Sequence, residues 1–253
     1  MKFFWITFKN TFAYRMTSVL SVISSVLYIV INILIWRYLY REEPEMVDYM
    51  TKYTIIANII GLFYSNNIAN RIGDKVAKGD FIMDLLKPVN ILFMSWQMEL
   101  AQICTRLLTD GFFTILIFLP YLIKDSRYYN TGYVILAIVL GHILFMLIYS
   151  LVGFLSYIFI KVWPLQRLVN DTIRLFAGIF VPLALLPGFL RNMAYCMPFR
   201  FLYSFPLELL LGNSDITNIY FEYLMVSIWI IIFAIANWFV YRLALRKSVI
   251  HGG

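Results

Sequence analysis

Long apolar runs without a charged residue constrain the fold of this chain more than any other feature. The longest covers residues 128–160, and another covers residues 16–36. A helix needs about 20 such residues to cross the hydrocarbon core of a bilayer. Only 14% of all residues are charged, against roughly 25% in soluble domains. The sequence therefore excludes a water-soluble globular fold and predicts an all-α polytopic membrane protein.

The apolar runs predict six transmembrane helices in one domain that covers residues 1–253. The predicted spans are residues 18–38, 53–70, 97–123, 132–160, 172–187 and 222–243. Before the first span, Phe4, Phe8 and Phe12 recur every four residues. Because aromatic rings prefer the depth of the lipid headgroups, this segment is predicted to be an interfacial helix on the inner leaflet.

The distribution of basic residues predicts the orientation of these spans. If the amino terminus is cytoplasmic, the inner segments hold nearly twice as many Lys and Arg residues as the outer segments. This bias is the usual one for membrane proteins, and it explains the net charge of +7 without a nucleic-acid partner. We therefore expect a multi-pass protein of the bacterial cytoplasmic (inner) membrane, with both termini in the cytoplasm and lipid around its spans.

One internal loop, residues 71–96, is predicted to be cytoplasmic and to contain a short helix. Asp80 can cap the first turn of this helix, and Pro88 ends it. The segment consists of Asp80, Phe81, Ile82, Asp84, Leu85, Leu86, Lys87 and Pro88 together with Met83. A helix of about two turns is not stable alone in water. It requires the membrane surface or a groove on a partner, unless it is only an elbow that leads into the third span.

Two segments of the sequence resemble those of a known transporter family. The loop sequence GDFIMDLLKPVN, residues 79–90, resembles the cytoplasmic loop of type-2 ATP-binding-cassette (ABC) export permeases. The later sequence VPLALLPGFLRNMAYCMPFRFLYSFPLELLLG, residues 181–212, resembles the Pro-rich stretch between spans five and six of that family. Because the length, span number and orientation also agree, the resemblance covers nearly the whole chain.

The resemblance implies a specific assembly. Such permeases pair with a second permease chain, identical or related, and bind two cytosolic ABC ATPase subunits. ATP and Mg are bound by those partner subunits, so this chain itself is expected to need no cofactor. Residues 80–87 would be the coupling helix that docks on the ATPase. Residues 187–206 would form outer re-entrant helices that close the exit.

The Pro-rich stretch supports the expected outer gate on physical grounds as well. Several prolines cannot be accommodated in one straight helix, and broken backbone at membrane depth is tolerated only where protein or a water-filled cavity covers it. The candidate gate residues are Pro187, Arg191, Pro198, Arg200 and Pro206. The two arginines could act in gating or could reach out to lipid headgroups.

A polar stripe runs along the predicted third span. It consists of Glu99, Gln102, Arg106 and Asp110, whose spacing places them on one face of a helix. Each charge near the bilayer centre costs roughly 2.5–3.5 kcal/mol, and Arg106 and Asp110 are predicted to neutralise each other. The stripe should face other helices or a cavity, either as intramembrane packing or as part of a translocation path.

No catalytic motif is present in the sequence. It contains no phosphate-binding loop, no HExxH, no GxSxG and no Cys/His metal cluster. We therefore expect no enzyme activity in this chain and predict the permease subunit of an ATP-driven exporter. Two alternatives stay open: an ion-coupled secondary transporter, for which the halves show no repeat, and a non-transporting immunity or scaffold protein.

Overall fold

A computed structural model of the chain describes residues 2–13, 15–65, 67–77, 91–123, 131–157, 163–212 and 218–250. Within these residues the secondary structure is helical and no strand is present. The predicted all-α class is therefore confirmed.

The helices are numbered here in chain order. They are α1 (Lys2–Ala13), α2 (Arg15–Leu39), α3 (Pro44–Gly61), α4 (Asn67–Ala77), α5 (Ile91–Arg106), α6 (Phe112–Ile123), α7 (Thr131–Phe154), α8 (Trp163–Phe176), α9 (Gly188–Cys196), α10 (Ser204–Leu211) and α11 (Ile219–Ile250). A π-helical turn, Leu107–Gly111, joins α5 to α6. Short 3-10 turns cover Leu155–Tyr157, Leu183–Leu185 and Pro198–Phe201.

Four helical segments of the described residues are long and apolar enough to cross a membrane. They are Met16–Leu39, Leu92–Leu122, Gly132–Phe154 and Ile219–Leu243, and they fall on the predicted first, third, fourth and sixth spans. In the first of these segments, and likewise in the last, only 11% of the most apolar stretch is buried within the fold. Such apolar faces suit contact with lipid, so the chain is a multi-pass membrane protein.

The predicted second span, residues 53–70, is not one continuous helix. α3 ends at Gly61, and the amides of Leu62 and Phe63 bond the carbonyls three residues earlier, which tightens the last turn. Beyond this turn, side chains of other helices bond the backbone carbonyl oxygens that no longer have a helical partner. His142 Nδ1 lies 3.0 Å from the Phe63 oxygen, and Arg106 donates to the Tyr64 oxygen. The chain therefore breaks where tertiary partners replace helical hydrogen bonds.

The predicted fifth span, residues 172–187, is also interrupted. α8 ends at Phe176, and Gly178 adopts a positive φ of 76°, which side chains disfavour. The Tyr53 hydroxyl donates to the carbonyl of Gly178. A side chain at this position would also lie 3.0 Å from that hydroxyl. The helix therefore ends well before Pro182 and Pro187, the residues that the sequence marks as interruptions.

The core is centred on α7, which packs against α4, α10 and α11. Gly141 allows this close packing, because a Cβ there would lie 2.8 Å from the Tyr64 hydroxyl and 2.9 Å from the Phe201 carbonyl oxygen. The ring of Tyr64 stacks on Phe145 at 4.9 Å between centroids and lies 5.1 Å from Tyr203. This aromatic cluster holds the break after α3 against the short helices near residue 200.

Candidate functional site

A polar cavity of about 500 Å³ lies between α1, α2, α5 and the π-helical turn. Its described lining residues are Thr7, Asn10, Thr17, Ser18, Ser21, Asn67, Gln102, Thr105, Arg106, Thr109 and Asp110. All of these have polar side chains, although 62% of the whole chain is hydrophobic. Three of the four predicted stripe residues therefore face this cavity, as expected for polar groups that avoid lipid.

The π-helical turn changes how the two charges of the stripe are satisfied. Asp110 accepts a hydrogen bond from the hydroxyl of Ser21, and the Thr109 hydroxyl lies 3.1 Å from Asp110 Oδ1 and 3.0 Å from the Thr105 carbonyl oxygen. Arg106 donates from Nη1 to the carbonyl oxygen of Tyr64 at 3.2 Å. The predicted Arg106–Asp110 ion pair is wrong, since no such pair forms in this part of the described chain. The extra residue in a π turn displaces Asp110 from the position that a regular α-helix would give it.

Glu99 points away from the cavity and pairs with a residue that sequence analysis placed in the loop. Its side chain is fully buried, and Arg71 Nη2 lies 3.3 Å from its Oε1. Arg71 belongs to α4, so the helical bundle extends into the predicted loop 71–96. The signal was available in the sequence, because a carboxylate inside an apolar span needs a cation and Arg71 is the first one after the second predicted span.

A second link between α4 and α5 is made by side-chain amides. Asn67 donates from Nδ2 to Gln102 Oε1 at 2.9 Å, and the Ser65 hydroxyl donates to the same oxygen at 3.2 Å. Gln102 therefore supplies the hydrogen-bond acceptor for the polar side chains at the start of α4. The two helices that flank the predicted docking loop are therefore joined by both an ion pair and an amide network.

Replacing Gln102 with leucine should lower the stability of the folded chain. The polar groups of Asn67 and Ser65 would lose their shared acceptor in a part-buried site. The expected cost is about 1–3 kcal/mol, measured as a lower unfolding temperature in detergent. Full stability of Gln102→Leu would show that these hydrogen bonds do not hold α4 against α5.

The Pro-rich segment forms short helical pieces rather than a span. α9 and the turn Pro198–Phe201 lie within the predicted gate region 187–206, and α10 begins at its end. Pro187 caps α9, Pro198 begins the 3-10 turn, and Pro206 lies in the first turn of α10. These are positions that tolerate a missing backbone N–H. Arg191, also a candidate gate residue, is exposed on α9.

Arg200 is the centre of a buried ionic cluster. Its Nη2 lies 3.2 Å from Glu222 Oε1 and 3.7 Å from Glu208 Oε2, and only 6% of its side chain is exposed. The guanidinium also lies over the ring of Tyr195 at 4.3 Å, and the Ser204 hydroxyl donates to Glu208. Arg200 therefore does not reach out to headgroups. It ties the 3-10 turn to α10 and to α11 through two acids that sequence analysis missed.

The predicted docking residues cannot be placed in the fold. The coupling helix, from Asp80 to Pro88, lies outside the described residues. The flanking helices are described: α4 ends at Ala77 and α5 begins at Ile91. The docking assignment stays a prediction.

The fold and the comparison with known families agree on the class of protein. Long apolar helices, with polar side chains gathered around a cavity, indicate a membrane protein. Residues 26–252 match the model of a family described as ABC-2 family transporter protein. The match covers most of the chain, so the chain belongs to this family, which confirms the resemblance and indicates an ABC transporter permease. Among curated proteins, no match is found.

Proposed function

We propose that this chain is the membrane subunit of an ATP-driven exporter that works with a separate ABC ATPase. The observation that carries the proposal is the family match over residues 26–252, because ABC-2 membership implies partnership with an ABC ATPase. The sequence itself contains no phosphate-binding loop. Energy from ATP must therefore reach the spans through contact with another protein.

The contacts of α4 and α5 suggest how that energy enters. The loop between them carries the predicted docking helix, and its two flanking helices are joined by the Arg71–Glu99 ion pair and the Asn67–Gln102 hydrogen bond. A displacement of the loop would therefore move both helices together. Since both helices contribute to the polar cavity, closure of two ATPase subunits on ATP and Mg would be transmitted to its wall.

The outer segment supports the exit side of the same proposal. Short helices at 187–206 would close the path between this chain and a second permease chain, identical or related. The Arg200 cluster joins this segment to α11, so movement of the last helix would be passed to the gate. The direction proposed, export out of the cytoplasm, is the one that the resemblance to export permeases implies.

An ion-coupled secondary transporter is supported less well by the same residues. Such a transporter needs a carboxylate that can bind and release its coupling ion near the membrane midplane. Glu99 is paired with Arg71, and Asp110 accepts a hydrogen bond from the Ser21 hydroxyl. Both candidate carboxylates therefore already have a partner within the fold.

Co-purification tests the proposed partnership. The chain, tagged at its carboxyl terminus, is co-expressed with each candidate ABC ATPase subunit of the same organism, and the tagged protein is isolated in mild detergent. We expect the ATPase in the eluate at one copy per permease chain, which corresponds to two per dimer. A permease that elutes alone under every nucleotide condition would argue for a scaffold or an immunity protein.

Cysteine labelling tests the predicted orientation. In a background where Cys104 and Cys196 are replaced, Lys78→Cys should react with an impermeant maleimide only after the cells are permeabilised. The matched control, Glu43→Cys, lies in an exposed turn that is predicted to be outside, and it should react in intact cells. Reaction of Lys78→Cys in intact cells would reverse the orientation and place the docking loop outside.

A further inference from the structure

The polar cavity differs in the character of its lining from a second groove that lies beside α4 and α5. A groove of about 370 Å³ on the α7 side is lined by Ile68, Leu92, Phe93, Trp96, Ile143, Met146, Leu147 and Ser150, almost all of them apolar. The cavity on the α1 side has only polar residues in its described lining. The two helices thus separate an apolar groove, which suits a lipid chain, from a hydrophilic chamber that does not.

Water fits the cavity well. A volume of about 500 Å³ exceeds the roughly 30 Å³ that a water molecule takes in the liquid. Six hydroxyl side chains and three amides contribute to its lining. Polar groups that face an apolar ligand would lose their hydrogen bonds to water without replacement. The lining therefore disfavours drugs and lipids that lack polar groups.

Arg106 is the only cation among the described lining residues of the cavity. Gln102 Oε1 already accepts hydrogen bonds from Asn67 and Ser65, and the Asp110 carboxylate accepts one from Ser21. In contrast, the guanidinium of Arg106, which carries five N–H groups, uses one of them on a backbone carbonyl within the described residues. The carboxamide nitrogen of Gln102 adds two more donors.

We propose that this cavity is an aqueous chamber that binds a hydrophilic solute by its acceptor oxygens. Arg106 holds carboxylate, phosphate or hydroxyl oxygens of the solute, and the Gln102 amide nitrogen assists. The inference rests on the proposed function, whose substrate class it specifies. It assigns Arg106 to solute binding, whereas Glu99 of the same stripe serves the packing of α4 on α5.

Thiol accessibility tests whether the chamber contains water. Ser18→Cys faces the cavity, while Val19→Cys, the next residue of α2, points outward with 52% of the native side chain exposed. Both variants are made with Cys104→Ala and Cys196→Ser in the full chain, in membrane vesicles without any ATPase. Because the cysteine thiolate, which needs water to form, is the nucleophile that attacks a methanethiosulfonate reagent and expels methanesulfinate, Ser18→Cys should react at least about tenfold faster than Val19→Cys.

Reagent charge tests the role of Arg106. Two methanethiosulfonate reagents of similar size are compared at Ser18→Cys, the anionic ethylsulfonate and the cationic ethyltrimethylammonium. Arg106→Gln should lower the anion-to-cation ratio of rates by about threefold or more, and Asp110→Asn should raise it, because each removes one charge from the chamber. Gel filtration checks that both variants are folded.

The outcomes separate this inference from the proposed function. Equal and slow reaction at both cysteines would show that the chamber is dry and would overturn the inference. A ratio unchanged by Arg106→Gln in folded protein would exclude Arg106 as the anchor for acceptor oxygens. Neither result depends on ATP or on a partner, so a failure here leaves the co-purification result standing, and the converse also holds.

Discussion

Arg200→Met should destabilise the chain more than any other single substitution in the gate segment. Methionine is of similar length but leaves Glu208 and Glu222 without their cation in a site where the three side chains are 6%, 6% and 17% exposed. Removing one partner of a buried ion pair costs about 3–5 kcal/mol. We expect the unfolding temperature in detergent to fall by about 10 °C or more.

Two further variants make this result specific. Arg191→Met, in the same segment but exposed, should change the stability by about 0.5 kcal/mol or less. Adding Glu208→Gln and Glu222→Gln to Arg200→Met removes the unpaired charges and should recover much of the lost stability. If Arg200→Met is as stable as the native chain, the cluster does not hold the gate segment to α11.

Phe81→Asp combined with Leu85→Asp should abolish co-purification of the ATPase. The two residues lie four positions apart, so they share one face of the predicted docking helix. Charges on that face would have to be desolvated in an apolar groove of the partner. We expect the affinity to fall by about 100-fold or more, which is measured as loss of the ATPase from the eluate.

A conservative pair provides the control for this experiment. Phe81→Leu with Leu85→Met keeps the face apolar and should retain the ATPase, while both double variants should be inserted in the membrane in equal amounts. If the doubly charged variant still binds the ATPase, residues 80–87 are not the docking element. The family assignment would be unaffected, since it rests on residues 26–252.

The sequence predicted those parts of the fold that depend on local apolar character. Four of the predicted spans coincide with helices that are long and apolar enough to cross a bilayer. The second predicted span breaks after Gly61 and the fifth ends before the prolines that were expected to interrupt it, because both breaks depend on distant residues. His142 and Arg106 form hydrogen bonds with backbone carbonyl oxygens that follow Gly61, and the Tyr53 hydroxyl donates to the carbonyl oxygen of Gly178. No pattern in a single sequence shows such partners.

The candidate site was predictable in outline but not in its pairing. The four-residue spacing of Arg106 and Asp110 indicated a polar stripe, and the structure places it against a cavity. The π-helical turn leaves no clear mark in the sequence, so the proposed ion pair between these residues was wrong. Glu208 and Glu222 were missed because their partner Arg200 comes from another element, and only the tertiary fold brings the three together.

ATP hydrolysis in reconstituted liposomes tests the central claim most directly. The purified chain is assayed alone, the ATPase alone, and the two together, with ATP and Mg in the bath and a proton gradient monitored across the membrane. We predict that the chain alone neither hydrolyses ATP nor dissipates the gradient, and that the complex hydrolyses ATP faster than the free ATPase. Transport or ion conduction by the chain without its partner would contradict the account.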